Sequence, residues 1–288
     1  MRIGVIGGSG LYQIEGLEDV REERVSTPFG EPSDALIHGR LGGAEVVFLP
    51  RHGRGHRYNP SEVNYRANIY ALKAAGVEWI VSVSAVGSLR EDIAPGDVVI
   101  LDQYVDRTIG RARTFFEQGI VGHVGFGDPV CPTLRGMLLA SAREQTSRVH
   151  DGGAYLCMEG PQFSTRAESE AHRALGCSVV GMTNMPEAKL AREAEISYAA
   201  LAMATDYDCW HPHHDAVTVE QVVAVLHANA DLAKRIVAGV VPRIVAHERP
   251  SPYKGILATS IMTAPHLVTP ETRQRLAAIV GPYLPVEG

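Results

Sequence analysis

Cysteine, long apolar runs and net positive charge are all scarce in this chain, and each scarcity excludes a class of protein. The four cysteines, Cys131, Cys157, Cys177 and Cys209, form no Cys-x-x-Cys pair, which excludes a dense zinc or dithiol motif and favours buried free thiols. No apolar run reaches the roughly 18 residues that a membrane-spanning helix needs. The formal net charge of −6 argues against nucleic acid as a partner, because neutralising phosphates requires a concentrated basic surface.

The N-terminal segment, residues 1–7, is too short and too glycine-rich to be the apolar core of a signal peptide. We therefore expect a cytoplasmic protein that binds neither membrane nor nucleic acid. With 288 residues, of which 45% are hydrophobic, the chain can bury a sizeable core.

Short β-branched runs alternate with longer helical patterns, which predicts an α/β protein. Several of the runs are continuously apolar, as expected for strands covered on both faces. No repeat or low-complexity linker divides the chain, so a single domain is predicted over residues 1–248, followed by a C-terminal extension, 249–288, that packs on it and contains a helix near Pro270–Val280. The predicted strands are Arg2–Ile6, Ala44–Leu49, Trp79–Val83, Asp97–Leu101, Ala154–Met158, Ser178–Gly181 and Ser197–Thr205. The other predicted helices are Ser61–Ala75, Pro132–Thr146, Thr165–Leu175, Pro186–Glu195 and Val219–Ile244.

Two loops that follow predicted strands have the composition of an oxyanion site. Gly7-Gly8-Ser9-Gly10 allows backbone amides and a hydroxyl to converge on an anion, although it matches neither a P-loop nor a dinucleotide fingerprint. Arg51-His52-Gly53 adds a guanidinium with bidentate geometry at the carboxyl end of another strand. A purely structural glycine turn also explains the first segment, and an exposed loop also explains the second.

A third segment, Ser82-Val83-Ser84-Ala85-Val86-Gly87-Ser88, follows the apolar run that starts at Trp79. Small residues at the end of a strand let a ligand approach the backbone closely. A simple turn leading into Arg90-Glu91-Asp92 explains the composition as well, and without further support it is the preferred interpretation.

The most informative segment is Thr205-Asp206-Tyr207-Asp208, which ends a long apolar strand. Because strand side chains repeat every two residues, Asp206 and Asp208 are expected on one face. Two adjacent carboxylates repel each other and need a cation, a proton or a ligand with hydrogen-bond donors. The donor edge of an aminopurine, its exocyclic amine and protonated N7, is one such ligand. The nearby His211-Pro212-His213-His214 is interpreted as a solvated loop rather than a metal site, and no metal is expected.

Taken together, these segments resemble the 5′-methylthioadenosine phosphorylase branch of the purine nucleoside phosphorylase family. The resemblance extends from Gly4 to about Ala246 and depends on the joint occurrence of several motifs in one order. These motifs are Ile6-Gly7-Gly8-Ser9-Gly10, Thr27-Pro28-Phe29-Gly30, Arg51-His52-Gly53, Val63-Asn64-Tyr65-Arg66-Ala67-Asn68, Gly87-Ser88-Leu89-Arg90, Asp102-Gln103, the run from Glu159 to Glu168, Gly181-Met182-Thr183 and Ala204-Thr205-Asp206-Tyr207-Asp208-Cys209-Trp210.

The resemblance implies a central mixed β-sheet flanked by helices, and a role for each site residue. Phosphate, a co-substrate, would be bound by Ser9, Arg51, His52, Ser84, Ala85 and Thr183. The nucleoside would be bound by Phe163 and Ser164 at the base, Met182 at the ribose, and Val219, Val222 and Val223 around the 5′ methylthio group. Asp206 and Asp208 would be the catalytic pair, with Asp206 protonating N7 and Asp208 recognising the 6-amino group. No cofactor is implied, and a homotrimer is expected.

Other functions remain open at this point. A purine nucleoside phosphorylase that prefers adenosine, inosine or methylthioinosine is the nearest alternative, although a carboxylate facing O6 disfavours the oxopurines. A nucleoside hydrolase would bind no anionic co-substrate, so Arg51 and His52 would have no role in it. A nucleoside-binding module without catalysis, or a dinucleotide-dependent oxidoreductase, would show no phosphate-dependent release of adenine.

Overall fold

The computed structural model describes residues 1–8, 10–212 and 219–285, with backbone only for residues 221, 222, 224 and 226–228. The strands are β1 (Arg2–Gly7), β2 (Glu18–Glu23), β3 (Leu36–Leu41), β4 (Ala44–Pro50), β5 (Val77–Ser88), β6 (Val98–Ile100), β7 (Gln103–Asp106), β8 (Val149–Asp151), β9 (Ala154–Cys157), β10 (Val179–Gly181) and β11 (Ser197–Asp206). The helices are α1 (Tyr65–Ala74), α2 (Pro132–Gln145), α3 (Arg166–Ala174), α4 (Asn184–Glu193), α5 (Val219–Ala246), α6 (Leu257–Ser260), α7 (Pro270–Arg275) and α8 (Ala277–Val280), with a 3₁₀ turn at Pro265–Leu267.

All the strands described belong to one mixed sheet, which confirms the predicted α/β fold. Its main path runs β2-β3-β4-β1-β5-β10-β9-β7, while β11 pairs with β5 and β6, and β6 pairs with β8. The twelve-residue β5 is the centre of this arrangement. It runs parallel to β1 and β11, and its last residues pair antiparallel with β10. The ends of β5, β10 and β11 are therefore brought to one place.

Strand β11 explains how the sheet is covered on both sides. Its even-numbered residues, Tyr198, Ala200, Ala202 and Ala204, belong to one core cluster with α1 and α4. The odd-numbered Ala199, Leu201 and Met203 belong to the opposite cluster, with α2 and α5. Because both faces bury apolar side chains, the strand is continuously apolar in sequence.

The predicted strands are all present, but four further strands were missed. One of them, β2, has the sequence Glu-Asp-Val-Arg-Glu-Glu and is largely exposed at the sheet edge. A charged, exposed edge strand of this kind has no apolar alternation to reveal it. Strands β7 and β8 have only four and three residues.

Helix α3 begins as predicted, with a capping box. The Thr165 side chain accepts from the Glu168 N–H, and the Glu168 side chain accepts from the Thr165 N–H. The regular part of α4 starts at Pro186, because Met185 is non-helical with φ −118° and ψ 133°.

The segment after residue 248 packs on the same core as the rest of the chain. Leu257, Leu276, Ile279 and Val280 lie in the cluster that includes Ile69 and Leu72 of α1. The single helix expected near Pro270–Val280 is instead two short helices, α7 and α8, separated at Leu276.

Candidate active site

The carboxyl end of β11 carries the two predicted acids. Asp206 is the last residue of the strand, whereas Asp208 lies in the following turn with φ of +51°. The expectation that strand alternation aligns them is therefore wrong, because the strand ends before Asp208. The acids nevertheless border the same glycine of β5. A Cβ built on Gly87 would lie 2.9 Å from Asp206 Oδ1 and 3.3 Å from Asp208 Cβ, so a side chain at this position would displace the Asp206 carboxyl.

Asp206 is held by two hydrogen bonds. Its Oδ1 accepts from the Asp208 N–H at 2.7 Å, and its Oδ2 accepts from the Thr205 hydroxyl at 2.6 Å. Burial raises the pKa of the Asp206 carboxyl above its ordinary value; these two bonds oppose the increase, and the Asp208 charge adds to it. A carboxyl that keeps its proton to higher pH than usual is suited to general-acid chemistry.

Asp208 is buried, and its Oδ2 has no hydrogen-bond partner among the described residues. A buried carboxylate oxygen is unfavourable unless it accepts a hydrogen bond. This atom therefore has the character of a ligand contact. A ligand group with an N–H donor, placed beside Asp206, would satisfy it.

Arg51 forms a buried ion pair with Glu187, a residue that the sequence analysis missed. Its Nε and Nη2 donate to the Glu187 carboxylate at 2.7 and 2.9 Å. Nη2 also donates to Ser82 Oγ at 2.7 Å, and Nη1 donates to the Val83 carbonyl at 3.0 Å. Four of the five guanidinium N–H groups are thus engaged, which leaves one on Nη1 for an anion. No sequence pattern marks Glu187, because nearly every residue of α4 is buried.

His52 lies next to Arg51 and is uncharged at neutral pH. Burial is the main cause that lowers the pKa of its imidazole, and the charge of Arg51 lowers it further, to about 4. Nδ1 lies 2.9 Å from the Tyr58 carbonyl, which can only accept, so Nδ1 carries the proton and Nε2 is an acceptor. The ring also stacks on His56 with centroids 4.3 Å apart.

The segment Ser82–Ser88 is part of a strand and not a loop or turn. It continues β5 through Ser88, paired with β11. The expected strand end at Val83 was wrong, because pairing on both sides accommodates the small residues that follow it. Ser84 is buried and its Oγ has no hydrogen-bond partner among the described residues, while Ala85 beside it is half-buried.

Met182 and Thr183 follow β10 and precede α4. The half-buried Met182 packs on Gly160, where a Cβ would lie 2.5 Å from the Met182 sulfur. Thr183 is buried, and its N–H donates to the Tyr155 hydroxyl at 3.1 Å. Because β10 pairs antiparallel with the last residues of β5, the chain that leaves β10 toward Thr183 runs back along β5 in the direction of Ser84.

Phe163 and Ser164 belong to the segment that connects β9 to α3. The Phe163 side chain is accessible, with 44% of the residue exposed. Ser164 is tied to the turn that carries Asp208, because the Cys209 thiol donates to its carbonyl at 3.2 Å. Its hydroxyl contacts the Met158 sulfur at 3.5 Å.

The remaining predicted site residues lie at the edge of what the structure describes. Val219 and Val223, at the start of α5, are 62% and 42% exposed, whereas the Val222 side chain and Ser9 lie outside the described residues. His211 is buried beside Glu91 and not solvated as expected, and its neighbours His213 and His214 also lie outside the described part.

All four cysteines are free, and three of them are buried, as the sequence predicted; Cys209 is half-buried. Within residues 1–8, 10–212 and 219–285, no helix is long and apolar enough to cross a membrane. Over the same residues, no group of three His, Cys, Asp or Glu side chains is arranged to hold a metal ion.

Residues 2–242 match the phosphorylase superfamily. The chain belongs to this family. It is 56% identical to the S-methyl-5′-thioadenosine phosphorylase of Geobacter sulfurreducens over 283 residues, which is 98% of this chain and 99% of that protein. It is 58% identical to the enzyme of the same name from Chloroflexus aurantiacus over 282 residues, 98% of each chain. Because these alignments cover 98% of the chain, they include most of the segment after residue 248, which the relatives therefore share.

Solved structures of phosphorylases have the same fold. A methylthioadenosine phosphorylase from an antarctic soil metagenomic library is 48% identical, with a TM-score of 0.92 over 96% of this chain and 98% of that one. A mutant adenosine/methylthioadenosine phosphorylase from Schistosoma mansoni, in complex with adenine, is 36% identical, with a TM-score of 0.86 over 92% of this chain and 100% of that one.

Proposed function

We propose that this phosphorylase cleaves 5′-methylthioadenosine with inorganic phosphate, giving adenine and 5-methylthioribose 1-phosphate. The observation that carries the proposal is the acid pair beside Gly87, where Asp208 offers a buried acceptor and Asp206 a carboxyl of raised pKa. The names of relatives that are 56% and 58% identical over 98% of the chain support the same substrate.

In the proposed reaction the bond from C1′ to N9 of the base breaks and a bond from C1′ to a phosphate oxygen forms. The electron pair of the broken bond stays on the purine, where protonation at N7 neutralises it. Asp206 supplies that proton, and general-acid assistance of this kind contributes about 10²–10⁴-fold. Oriented phosphate stabilises the positive charge that develops on the ribosyl group.

Asp208 selects the base in this proposal. Its Oδ2 accepts a hydrogen bond from the 6-amino group of adenine, which satisfies the buried oxygen. The carbonyl of a 6-oxopurine would instead face the carboxylate and leave two acceptors opposed. Phe163 would contact the base, and Ser164 would support the turn through Cys209.

The phosphate site in this proposal comprises Ser9, Arg51, His52, Ser84, Ala85 and Thr183. Glu187 balances the charge of Arg51, and His52 is uncharged, so phosphate would be bound chiefly through N–H and O–H donors. The buried Ser84 hydroxyl supports this assignment. His52 Nε2 would accept a hydrogen bond from the hydroxyl of hydrogen phosphate.

Adenosine is a second candidate substrate, favoured by a specific similarity. A solved relative is described as an adenosine/methylthioadenosine phosphorylase. Met182 would contact the ribose, and selection at the 5′ position would depend on Val219, Val222 and Val223. The experiment that decides between the substrates is a comparison of kcat/KM for methylthioadenosine, adenosine and methylthioinosine at saturating phosphate. Methylthioadenosine is expected to give the highest value; a higher value for methylthioinosine would reject the assignment of the base.

We also propose that the protein is a cytoplasmic homotrimer in purine and methionine salvage that needs no cofactor, and that residues 249–288 are an extension integrated in the domain. Ile109, Met262 and Leu267, which are 75%, 66% and 62% exposed, are the apolar side chains that such an oligomer would cover. The core positions of Leu276 and Val280 support the integrated extension.

A further inference from the structure

The peptide group between Met182 and Thr183 has both of its polar atoms bound inside the protein. The Met182 carbonyl accepts from Arg111 Nη1 at 2.6 Å, and the Thr183 N–H donates to the Tyr155 hydroxyl at 3.1 Å. This peptide joins the residue proposed to contact the ribose to a residue proposed to contact phosphate. Its orientation therefore determines how the two contacts are spaced.

Arg111 connects this peptide to the surrounding segments. The side chain is only 2% exposed. Nη1 also lies 2.7 Å from the Met185 carbonyl and 3.1 Å from the Tyr65 hydroxyl, so its two N–H groups are shared among three acceptors. Nη2 donates to the Glu159 carbonyl at 2.7 Å. One guanidinium thus bonds the turn before α4, the start of α1 and the segment that leads to Phe163.

Tyr155 holds the other side of the peptide. It is fully buried on β9, and its hydroxyl is packed so tightly on Gly181 that a Cβ there would lie 2.2 Å away. Burial raises the pKa of this phenol well above its ordinary value, so it stays protonated. A rigid ring with one hydroxyl at a fixed place is a suitable anchor for the Thr183 N–H.

We propose that Arg111 and Tyr155 are positioning residues that clamp the Met182–Thr183 peptide and so set the spacing between ribose and phosphate. This inference rests on the proposed phosphorolysis. Neither side chain is needed to touch a substrate. Their effect reaches the reaction through the peptide, because a small misplacement of a bound reactant lowers the rate strongly.

Two conservative variants test the clamp. Tyr155→Phe removes a single hydroxyl and retains the ring. Arg111→Lys retains the charge but cannot bond all of the carbonyls at once. For each variant, kcat and the KM values for phosphate and methylthioadenosine are measured, together with the affinity for adenine alone by calorimetry. We expect the KM for phosphate to rise and kcat to fall in both variants, each by about tenfold. The affinity for adenine should be unchanged in Tyr155→Phe, because the Tyr155 hydroxyl bonds the Thr183 N–H and none of the proposed base contacts.

Two other residues provide matched controls. Tyr70 is a buried tyrosine whose hydroxyl accepts from the Ala278 N–H at 3.3 Å, away from the site. Arg192 is a buried arginine that donates to the Gly125 and Asp128 carbonyls at 2.5 and 2.6 Å. Tyr70→Phe and Arg192→Lys should lower the melting temperature as much as the test variants do, while retaining the wild-type KM values.

The outcomes separate a clamp from a merely structural role. If Tyr155→Phe and Arg111→Lys match their controls, with lower stability but unchanged kcat and KM, the clamp is rejected. If the affinity of Tyr155→Phe for adenine falls along with that for phosphate, the effect is general and the clamp is also rejected. A wild-type protein that releases no adenine in the presence of phosphate would reject the proposed function, and the clamp with it.

Discussion

The Arg51 guanidinium and the Glu187 carboxylate meet at two points inside the protein, with Nε···Oε2 at 2.7 Å and Nη2···Oε1 at 2.9 Å. Glu187 Oε1 also accepts from the hydroxyls of Ser82 and Tyr198, each at 2.8 Å. The pair connects the loop after β4 to α4 and to two strands of the sheet. It therefore fixes the cation of the proposed phosphate site while cancelling its charge.

Glu187→Gln should destabilise the protein by about 3–5 kcal/mol, because it leaves the buried Arg51 cation without its counter-ion. The free energy of unfolding, measured in urea, checks this value. Glu170→Gln is the control, since Glu170 is exposed and its substitution should change stability by less than about 0.5 kcal/mol. A loss for Glu187→Gln no larger than that of the control would mean that the ion pair does not exist in solution.

Asp208→Asn should shift the base preference from aminopurine toward 6-oxopurine. The amide can donate to O6, whereas the carboxylate can only accept. The ratio of kcat/KM for methylthioadenosine to that for methylthioinosine should fall by about 100-fold or more. Asp206→Asn is the matched variant. It should lower kcat on both substrates, by about 10²–10⁴-fold, and leave the ratio intact; an unchanged ratio in Asp208→Asn would reject the role of that residue.

Thr205→Val should move the high-pH limb of activity upward. The Thr205 hydroxyl has one proton and two acceptors within reach, Asp206 Oδ2 at 2.6 Å and the Val86 carbonyl at 3.2 Å. Donation to Asp206 stabilises its ionised form and lowers its pKa. Without the hydroxyl, the pKa of Asp206 rises further and the acid stays protonated to higher pH. The pH profile of kcat measures the shift, and a limb that moves to lower pH would contradict the general-acid role.

Glu193 makes the stability of the fold dependent on pH. Burial raises the pKa of its carboxyl to about 7, from an ordinary value of 4.5. Between these values the unfolded chain releases the proton while the folded chain keeps it. Folding stability therefore falls as pH rises through this window, and the loss is complete above about pH 7.

Glu193→Gln should remove that dependence, because the amide can still accept from the Phe115 N–H and bond the Thr114 hydroxyl, the two partners of the carboxylate. We expect a gain in the free energy of unfolding of up to about 3 kcal/mol at pH 8 and almost none at pH 4.5. Urea unfolding at both pH values tests this, and an equal effect at the two would contradict it.

The sequence predicted those parts of the fold that follow from local patterns. Strand β11 could be found because both of its faces are covered, and α3 because Thr165 and Glu168 form a capping box. The charged edge strand β2 left no apolar signal. The continuation of β5 past Val83 depends on partners more than 90 residues away, Val179 and Ala202 among them.

The residues of the candidate site also fall into two groups, those that could be recognised in the sequence and those that could not. Asp206 and Asp208 are separated by one residue in the sequence and could be recognised as a pair. Their arrangement in space, however, depends on the turn after β11 and on Gly87. Glu187, Arg111 and Tyr155 act through contacts that only the folded chain creates. No spacing in the sequence links Arg111 to the Met182 carbonyl, which lies 71 residues further along the chain.

Phosphate is the nucleophile in the proposed reaction, and one measurement tests this role directly. Purified protein is incubated with methylthioadenosine, with and without inorganic phosphate, and free adenine and sugar phosphate are quantified. We expect adenine and methylthioribose 1-phosphate in equal amounts, formed only when phosphate is present. Equal release of adenine without phosphate, or a free sugar in place of the sugar phosphate, would contradict it.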